Sequence, residues 1–309
     1  MKKFLSTMVA VAALSAPAVA ADMPVKAKAA PVAATPAWDI AVGGVVMSDY
    51  NFRGVSQSNR GPSGGAYFEP QYNIGFGTLY VGVAAWAIDW PNGFGFSAPS
   101  AEVDIYGGWR NTWGAFSLDL GTIYYYYPKE TLGVGGFTTK SDFVELYAKA
   151  SYAITPDLTV GANVFYSPDV LHYSTSFCTA TAGANCSKAD GVYASITGKW
   201  VTPLSFNGVG LYLSGELGHW WLDGTGFVAA GAGTGVLGAG LDPDYTYWNV
   251  GAALTYKALT LDFRYHDTDM SRLQCAAFLV TVVPNGSNNW CNSAFIVSAK
   301  FDTTLSALK

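Results

Sequence analysis

The sequence predicts an all-β protein: a closed antiparallel transmembrane β-barrel of about 12 strands, with short periplasmic turns and long extracellular loops. Three observations predict it. The 309 residues are 50% hydrophobic but only 13% charged, whereas a soluble domain carries about 25% charged residues. After the N-terminus the chain has no uncharged apolar run of about 18 residues, so spanning helices are not expected. Short and long polar connections alternate along the chain, as in outer-membrane barrels.

The stretch from Trp38 to Gln57 is predicted to be the first strand. Alternate residues of a strand face opposite sides of the sheet. One parity is apolar and is expected to face lipid: Trp38, Ile40, Val42, Gly44, Val46, Tyr50 and Phe52. The other parity holds every charge and is expected to face the lumen: Asp39, Gly43, Met47, Asp49, Asn51 and Arg53.

The same alternation predicts further strands at 65–76, 78–89, 101–110, 115–127, 142–153, 158–167, 191–201, 209–221, 244–256, 259–267 and 293–301. In the segment 101–110, Glu102, Asp104 and Arg110 oppose Val103 and Ile105. A lysine or arginine that faces lipid at mid-membrane costs about 2–4 kcal/mol, so the charged faces are expected inside the barrel. A soluble β-sandwich or a lipocalin-like barrel is the alternative, because parity alone does not separate it from a membrane barrel.

Aromatic side chains gather near the predicted strand ends. Tyrosine and tryptophan favour the lipid–water boundary because their rings are half apolar and half polar. This set is Trp86, Trp90, Trp109, Trp113, Tyr124 to Tyr127, Trp200, Trp220, Trp221 and Trp248. Core packing is the alternative reading, but it predicts more aromatic residues in the middle of strands.

The N-terminus predicts export. Lys2 and Lys3 precede the apolar run 4–14, and Ala18-Val19-Ala20 forms a cleavage site, so residues 1–20 are predicted to be a signal peptide. Residues 21–37 are rich in Ala, Pro and Lys and are expected to form a flexible periplasmic lead-in. Residues 38–309 then form the barrel, and the expected location is the outer membrane.

A family resemblance rests on several stretches of the chain. SDYNFRGVSQS at 48–58 resembles the N-terminal signature of the TorF-like family of outer-membrane porins. The stretches AEVDIYGGWR, LGTIYYYYP and FVELYAKASYAITPDLTVGANVFYSPD are similar to later parts of that family's pattern. The resemblance covers 39–169 and is loose beyond Asp169. It implies an outer-membrane barrel of porin type without a settled substrate.

The candidate lumen-lining residues are charged side chains on the inward parity. They are Asp49, Arg53, Glu69, Glu102, Asp104, Arg110, Asp119, Glu145, Lys149, Lys199, Glu216, Asp262 and Arg264, with Lys300 on the last strand. Rings of charged side chains set pore selectivity, so Arg53 is a candidate for a constriction. The alternative is a lumenal ion pair that braces the barrel. The mixed signs predict a polar interior partly bridged by salt pairs.

Four cysteines fall in two long loops, with Cys178 and Cys186 in one and Cys275 and Cys291 in the other. Disulfides persist in exported proteins, and of the three possible connectivities the two local pairs are favoured. A metal site is not expected, because His172 is the only histidine near a cysteine pair in the sequence.

The predicted function is a porin-like channel for passive diffusion of ions or small hydrophilic solutes, with outer-membrane lipid around it. No cofactor is expected. A nucleic-acid partner is not expected either, since the net charge is −5 and no basic patch is present. A dinucleotide fingerprint at 233–238 lacks a βαβ context. The alternatives are a structural or adhesive barrel with a plugged lumen and, less favoured, a membrane enzyme, since no nucleophile-elbow motif is found. No interface signal predicts an oligomeric state.

Overall fold

The computed structural model describes residues 37–90, 99–130, 132–134, 137–172, 189–223, 244–278 and 289–308. The predicted signal peptide, the lead-in up to residue 36, and Cys178 and Cys186 lie outside the described residues. Within the described ranges, no helix is both long and apolar enough to cross a membrane.

The described chain is almost entirely strand. The strands are β1 (Trp38–Met47), β2 (Asn51–Phe52), β3 (Val55–Ser56), β4 (Ser63–Asn73), β5 (Thr78–Ala87), β6 (Ala101–Trp113), β7 (Phe116–Tyr126), β8 (Leu132–Val134), β9 (Phe137–Thr139), β10 (Phe143–Ala153), β11 (Leu158–Ser167), β12 (Asp190–Phe206), β13 (Val209–Asp223), β14 (Tyr245–Tyr256), β15 (Leu259–Thr268) and β16 (Ala294–Thr304). One short helix, α1 (Arg272–Phe278), precedes β16. Short 3-10 turns lie at Val170–His172 and Leu305–Leu308.

Twelve of these strands close into one antiparallel barrel, in the order β1, β4, β5, β6, β7, β10, β11, β12, β13, β14, β15 and β16. The barrel closes between its first and last strands, which pair from Ala41 opposite Thr304 to Met47 opposite Ser298. Each strand therefore pairs with its sequence neighbours around the barrel. The predicted closed twelve-stranded fold is confirmed.

The two ends of the barrel differ in their connections. Tight turns join β4 to β5, β6 to β7, β10 to β11, β12 to β13 and β14 to β15 at one end, which we call the short-turn end. Asn207 and Gly208 form one such turn with φ of 50° and 83°, the positive values that a type I′ hairpin turn needs. The other end, the long-loop end, carries the longer connections.

One predicted strand was too short. The sequence predicted it over 191–201, but β12 continues to Phe206, and the turn before β13 is only Asn207 and Gly208. Its pairing with β13 shifts register between Val201 and Ser205. Pro203 lies inside this irregularity, where the missing backbone N–H breaks no regular ladder.

The two faces of the wall follow the predicted alternation. On β5, Leu79 and Val81 are exposed on the outside, whereas Tyr80, Ala84 and Trp86 are buried inside. Large apolar side chains face outward on the other strands as well, as a membrane barrel requires. Exposed aromatic residues on this outer face include Trp113, Tyr124, Tyr126, Trp200, Trp221 and Trp248.

Several aromatic residues predicted at the lipid boundary were placed wrongly. Trp86, Tyr125, Tyr127 and Trp220 are buried inside the barrel. They lie close to strand ends, as predicted, but on the inward parity, because neighbouring positions such as Trp220 and Trp221 must face opposite sides. Half-buried Trp90 lies in a loop and donates to the Gln57 Oε1 atom at 2.9 Å.

The predicted first strand was too long. β1 ends at Met47, and the chain then turns into the barrel. Tyr50 and Phe52, predicted to face lipid, lie inside it. Tyr50 is 1% exposed, and Phe52 packs edge-on against Tyr125 and Trp220.

Candidate functional site

A small hairpin inside the barrel is the candidate functional site. Residues 48–62, which we call the inner hairpin, leave β1 at the long-loop end and contain β2 and β3. Its turn is Arg53–Gly54, with φ of 47° and 89°. Two consecutive positive φ values define a type I′ turn, which costs a non-glycine residue such as Arg53 some backbone strain. The Gly54 amide donates to the Asn51 Oδ1 atom at 2.9 Å and supports the turn.

Arg53, at the tip of the inner hairpin, is paired with Glu145 on β10. Its Nη1 and Nη2 atoms donate to the two carboxylate oxygens at 2.8 and 2.9 Å, and the side chains are 4% and 1% exposed. Burial lowers the pKa of Arg53, but the charge of Glu145 and its hydrogen bonds raise it by more, so the pKa lies above its ordinary value. Bidentate pairs of this kind are among the stronger protein hydrogen bonds. Arg53 is therefore a charged anchor.

Aromatic rings surround the same guanidinium. The Arg53 Cζ atom lies 4.7 Å from the ring centroid of Phe52, 4.8 Å from Phe165, 4.3 Å from Tyr193 and 4.5 Å from Trp220. We call these four rings the aromatic cage. All four distances fall inside the 6 Å range of a cation–π contact. Phe52 belongs to the hairpin, whereas the other three rings belong to β11, β12 and β13.

The base of the inner hairpin is fixed by a second carboxylate. The Ser56 and Ser58 hydroxyls donate to the Asp49 Oδ1 atom at 2.6 and 3.0 Å. Burial raises the pKa of the Asp49 carboxyl above its ordinary value. Tyr50 beside it donates its hydroxyl to the Glu102 Oε1 atom at 2.6 Å. The hairpin is thus tied to the wall at Glu102 as well as at Glu145.

We expect Tyr50→Phe to weaken this second tie. The variant keeps the stacking of the ring on Trp86, at 5.4 Å between centroids, but loses the hydrogen bond to Glu102. Hydrogen bonds to charged groups contribute about 1.5–3 kcal/mol, and we expect a loss of that size in the free energy of unfolding. Urea unfolding in detergent micelles measures it. The matched control is Tyr72→Phe, on the outer face; an equal loss in that variant would contradict the role of Tyr50.

Residues 289–292, at the end of the last long loop, cover part of the inner hairpin. The Ser56 amide donates to the Trp290 carbonyl at 2.9 Å, and the Arg60 guanidinium donates to the Asn289 and Asn292 carbonyls. A disulfide joins Cys275 and Cys291, whose Cα atoms are 5.8 Å apart. This local pair was predicted and is present. The disulfide also packs in one apolar cluster with Val55 of the hairpin.

Other predicted lumen residues form ion pairs and hydrogen bonds at two places away from the inner hairpin. Toward the short-turn end, Arg110 pairs with Glu69 and the Tyr80 hydroxyl donates to Asp119. On the opposite wall, Arg264 pairs with Asp262 at 2.8 Å. The other contacts are as follows: Trp86 Nε1 donates to Asp104 at 2.8 Å, Tyr193 donates to Glu216 at 2.8 Å, and Arg264 donates to Asn249 at 2.6 Å and to Ser214 at 2.7 Å. The amines of Lys149 and Lys199 lie over Tyr147 and Tyr212 at 4.2 and 4.0 Å.

Several tyrosines are buried on the inner wall, and the charge pattern of the sequence does not identify them. Tyr80, Tyr106 and Tyr147 are 5–6% exposed, although all three point inward from the wall. Their position in the strand alternation predicts that they face inward. The neighbouring sequence does not predict whether inward side chains pack against one another or contact water in the lumen. Within the described ranges, no group of three or more His, Cys, Asp or Glu side chains is placed to hold a metal ion.

Carboxylates outnumber bases on the described inner wall. The acids that point inward include Glu69, Glu102, Asp104, Asp119, Glu145, Glu216 and Asp262, and the bases are Arg110, Lys149, Lys199, Arg264 and Lys300. Glu102, Asp104 and Glu145 all lie near the long-loop end, where the inner hairpin contributes Arg53. The hairpin therefore brings a positive charge into the acidic half of the lumen.

Residues 31–298 match the model of a family described as bacterial protein of unknown function (Gcw_chp). The chain belongs to this family. No curated protein matches it. The more specific resemblance to the TorF-like porins stays a prediction for this Gcw_chp protein.

Solved structures similar to this Gcw_chp chain include outer-membrane channels. The NanC porin has a TM-score of 0.47 and 10% identity, over 85% of this chain and 98% of its own. An outer-membrane channel from Pseudomonas putida F1 has 0.44 and 12%, over 91% and 100%. The KdgM porin, in complex with disordered oligogalacturonate, has 0.42 and 9%, over 85% and 98%.

Proposed function

We propose that this protein is an outer-membrane, porin-like channel for ions or small hydrophilic solutes, constricted at its long-loop end by the inner hairpin. The observation that carries the proposal is a closed barrel whose inner wall bears charged side chains. Its lumen contains a chain segment, the inner hairpin, that forms no β-sheet with the wall. β2 and β3 pair with each other and not with the barrel wall. Side-chain contacts such as Arg53 with Glu145 hold the segment in place.

The excess of inward carboxylates supports a preference for cations. Charged side chains that line a pore replace part of an ion's hydration and select by sign. The outer membrane is supported by the apolar outer face of the barrel and by the predicted signal peptide. The expected absence of enzymatic activity stays a prediction.

Single-channel recording in planar bilayers tests this function. The two proteins compared are the mature wild type and a variant in which residues 49–61 are replaced by a Gly-Ser linker of equal length. We expect small conductance steps for the wild type and larger steps for the variant, because the linker makes none of the contacts that hold the hairpin inside. A reversal potential in a salt gradient should show cation selectivity. Heat-modifiable gel migration confirms that each protein is folded.

A structural barrel with a filled lumen is the second candidate. The specific observation that favours it lies away from the inner hairpin: Glu69, Tyr67 and Tyr106 remain buried on the inner wall. If both folded proteins are silent in the bilayer, the channel proposal fails and this candidate is supported. The work of such a barrel would then lie in its external loops.

A further inference from the structure

We propose that Glu145 together with Phe165, Tyr193 and Trp220 forms a binding site for solutes that carry a guanidinium or substituted ammonium group. In this structure Arg53 occupies the site as a tethered substitute for such a solute. The inference deepens the proposed channel function by naming a solute class and rests on that function only for the passage of the solute. Binding itself can be measured without a channel.

The site belongs to the barrel wall and not to the hairpin. Glu145, Phe165, Tyr193 and Trp220 come from four consecutive strands, β10 to β13, whose pairing fixes their relative positions. Two further contacts orient the side chains independently of Arg53. The Tyr125 hydroxyl donates to the Glu145 Oε2 atom at 3.0 Å, and the Tyr193 hydroxyl is held by Glu216. The wall therefore presents a prepared site if the hairpin withdraws.

Charge makes an empty site unfavourable. Glu145 is 1% exposed and forms an ion pair with Arg53. Leaving a buried carboxylate without a counter-charge is strongly destabilising. Glu102 and Asp104 lie in the same half of the lumen. Withdrawal of Arg53 therefore removes a positive charge from a region that contains these carboxylates and Glu145. A diffusible cation that replaces the guanidinium restores the balance.

The chemistry of the lining identifies the class of cation. Mg²⁺ and Ca²⁺ prefer several oxygen ligands, whereas this site offers one carboxylate and three ring faces. Ring faces attract organic cations, and a planar guanidinium matches the two oxygens of a carboxylate. The lining thus favours guanidinium and substituted ammonium groups over metal ions.

Arg53 must compete with any such solute. A tethered group has an effective concentration in the millimolar range, so the wild type should bind free guanidinium compounds weakly. A solute that displaces Arg53 would also free the tip of the inner hairpin. In that case the solute itself helps to open its path.

Arg53→Ala in detergent micelles tests the site with methylguanidinium as the probe. N-methylurea, which is neutral and similar in shape, is the control compound at matched ionic strength. We expect methylguanidinium to raise the melting temperature of Arg53→Ala saturably and to bind by calorimetry, while N-methylurea does neither. The wild type should respond weakly. Arg272→Ala removes an exposed arginine on α1, outside both the inner hairpin and the cage, and it should respond no more than the wild type.

Adding Glu145→Gln to Arg53→Ala should weaken methylguanidinium binding about tenfold or more, equivalent to about 1.4 kcal/mol. Equal responses to methylguanidinium and N-methylurea, or no weakening by Glu145→Gln, would overturn the proposal. If Arg53→Ala refolds poorly, refolding yield becomes the readout: methylguanidinium must raise it above the N-methylurea value, and equal yields overturn the site.

The outcomes separate this inference from the channel. Saturable binding in a protein that is silent in bilayers would refute the channel proposal and support the binding site. Conductance without selective binding would support the channel proposal and refute the binding site.

Discussion

Glu145→Gln is expected to lower the free energy of unfolding by about 3–5 kcal/mol, the range measured when one partner of a buried ion pair is removed. The substitution keeps the size of the side chain but removes the charge opposite Arg53, which is 4% exposed. In the wild type the guanidinium donates to two carboxylate oxygens, whereas glutamine presents only one acceptor oxygen. The buried charge of Arg53 would then have no counter-charge, and it returns to water if the inner hairpin leaves the lumen. We therefore also expect larger and more frequent conductance steps.

Urea unfolding in micelles and single-channel recording measure the two effects of Glu145→Gln. The matched control is Glu130→Gln, another buried carboxylate, which accepts from the Ser141 amide at 2.8 Å in a loop outside the inner hairpin. Burial raises the pKa of Glu130, so a neutral side chain is better tolerated there. Glu145 would have no special role if both variants lost the same stability and conducted like the wild type.

The barrel could be predicted from the sequence because its signals are local. β11 was predicted at its observed bounds, Leu158–Ser167, because Ser167 precedes a proline and Leu158 follows a polar turn. Alternating parity and the rhythm of short and long connections fixed the strand count in the same way. Neither signal depends on which side chains contact each other across the lumen.

The inner hairpin was missed for a physical reason. Its residues continue the alternation of β1, so Tyr50 and Phe52 read as two more lipid-facing positions. The turn that reverses the chain is Arg53–Gly54, whereas sequence signals for a type I′ turn rely on Asn-Gly or Asp-Gly. Glu145, Phe165, Tyr193 and Trp220 hold the Arg53 side chain while its backbone has a positive φ. Those partners are far away in sequence, so local reading cannot find them.

The aromatic lining was missed because both faces of some strands are apolar. β5 contains no charged residue, so no charge marks Trp86 as inward-facing. Its position at a strand end suits a lipid boundary and a lumen equally well. The sequence therefore identifies candidate charges of the lumen better than the rings that pack between them.

Removing the disulfide by a double Cys275→Ser, Cys291→Ser substitution is expected to lower the free energy of unfolding by about 2–4 kcal/mol. The two cysteines are 16 residues apart, and the bond restricts the unfolded chain over that length. The effect should reach the inner hairpin, because the backbone carbonyls of Trp290 and Cys291 accept from Ser56 and Thr268 at 2.9 and 2.8 Å. We therefore expect larger conductance steps as well.

Dithiothreitol distinguishes this effect from that of the second predicted pair. The matched control is Cys178→Ser with Cys186→Ser, which retains the bond between Cys275 and Cys291. Reductant should enlarge the conductance steps of the wild type and of this control, but not those of the Cys275→Ser, Cys291→Ser protein, whose steps are already large. If reductant changes that protein as much as the wild type, the covering loop does not hold the hairpin. The constriction would then depend on the contacts of Arg53 and Tyr50 with the wall alone.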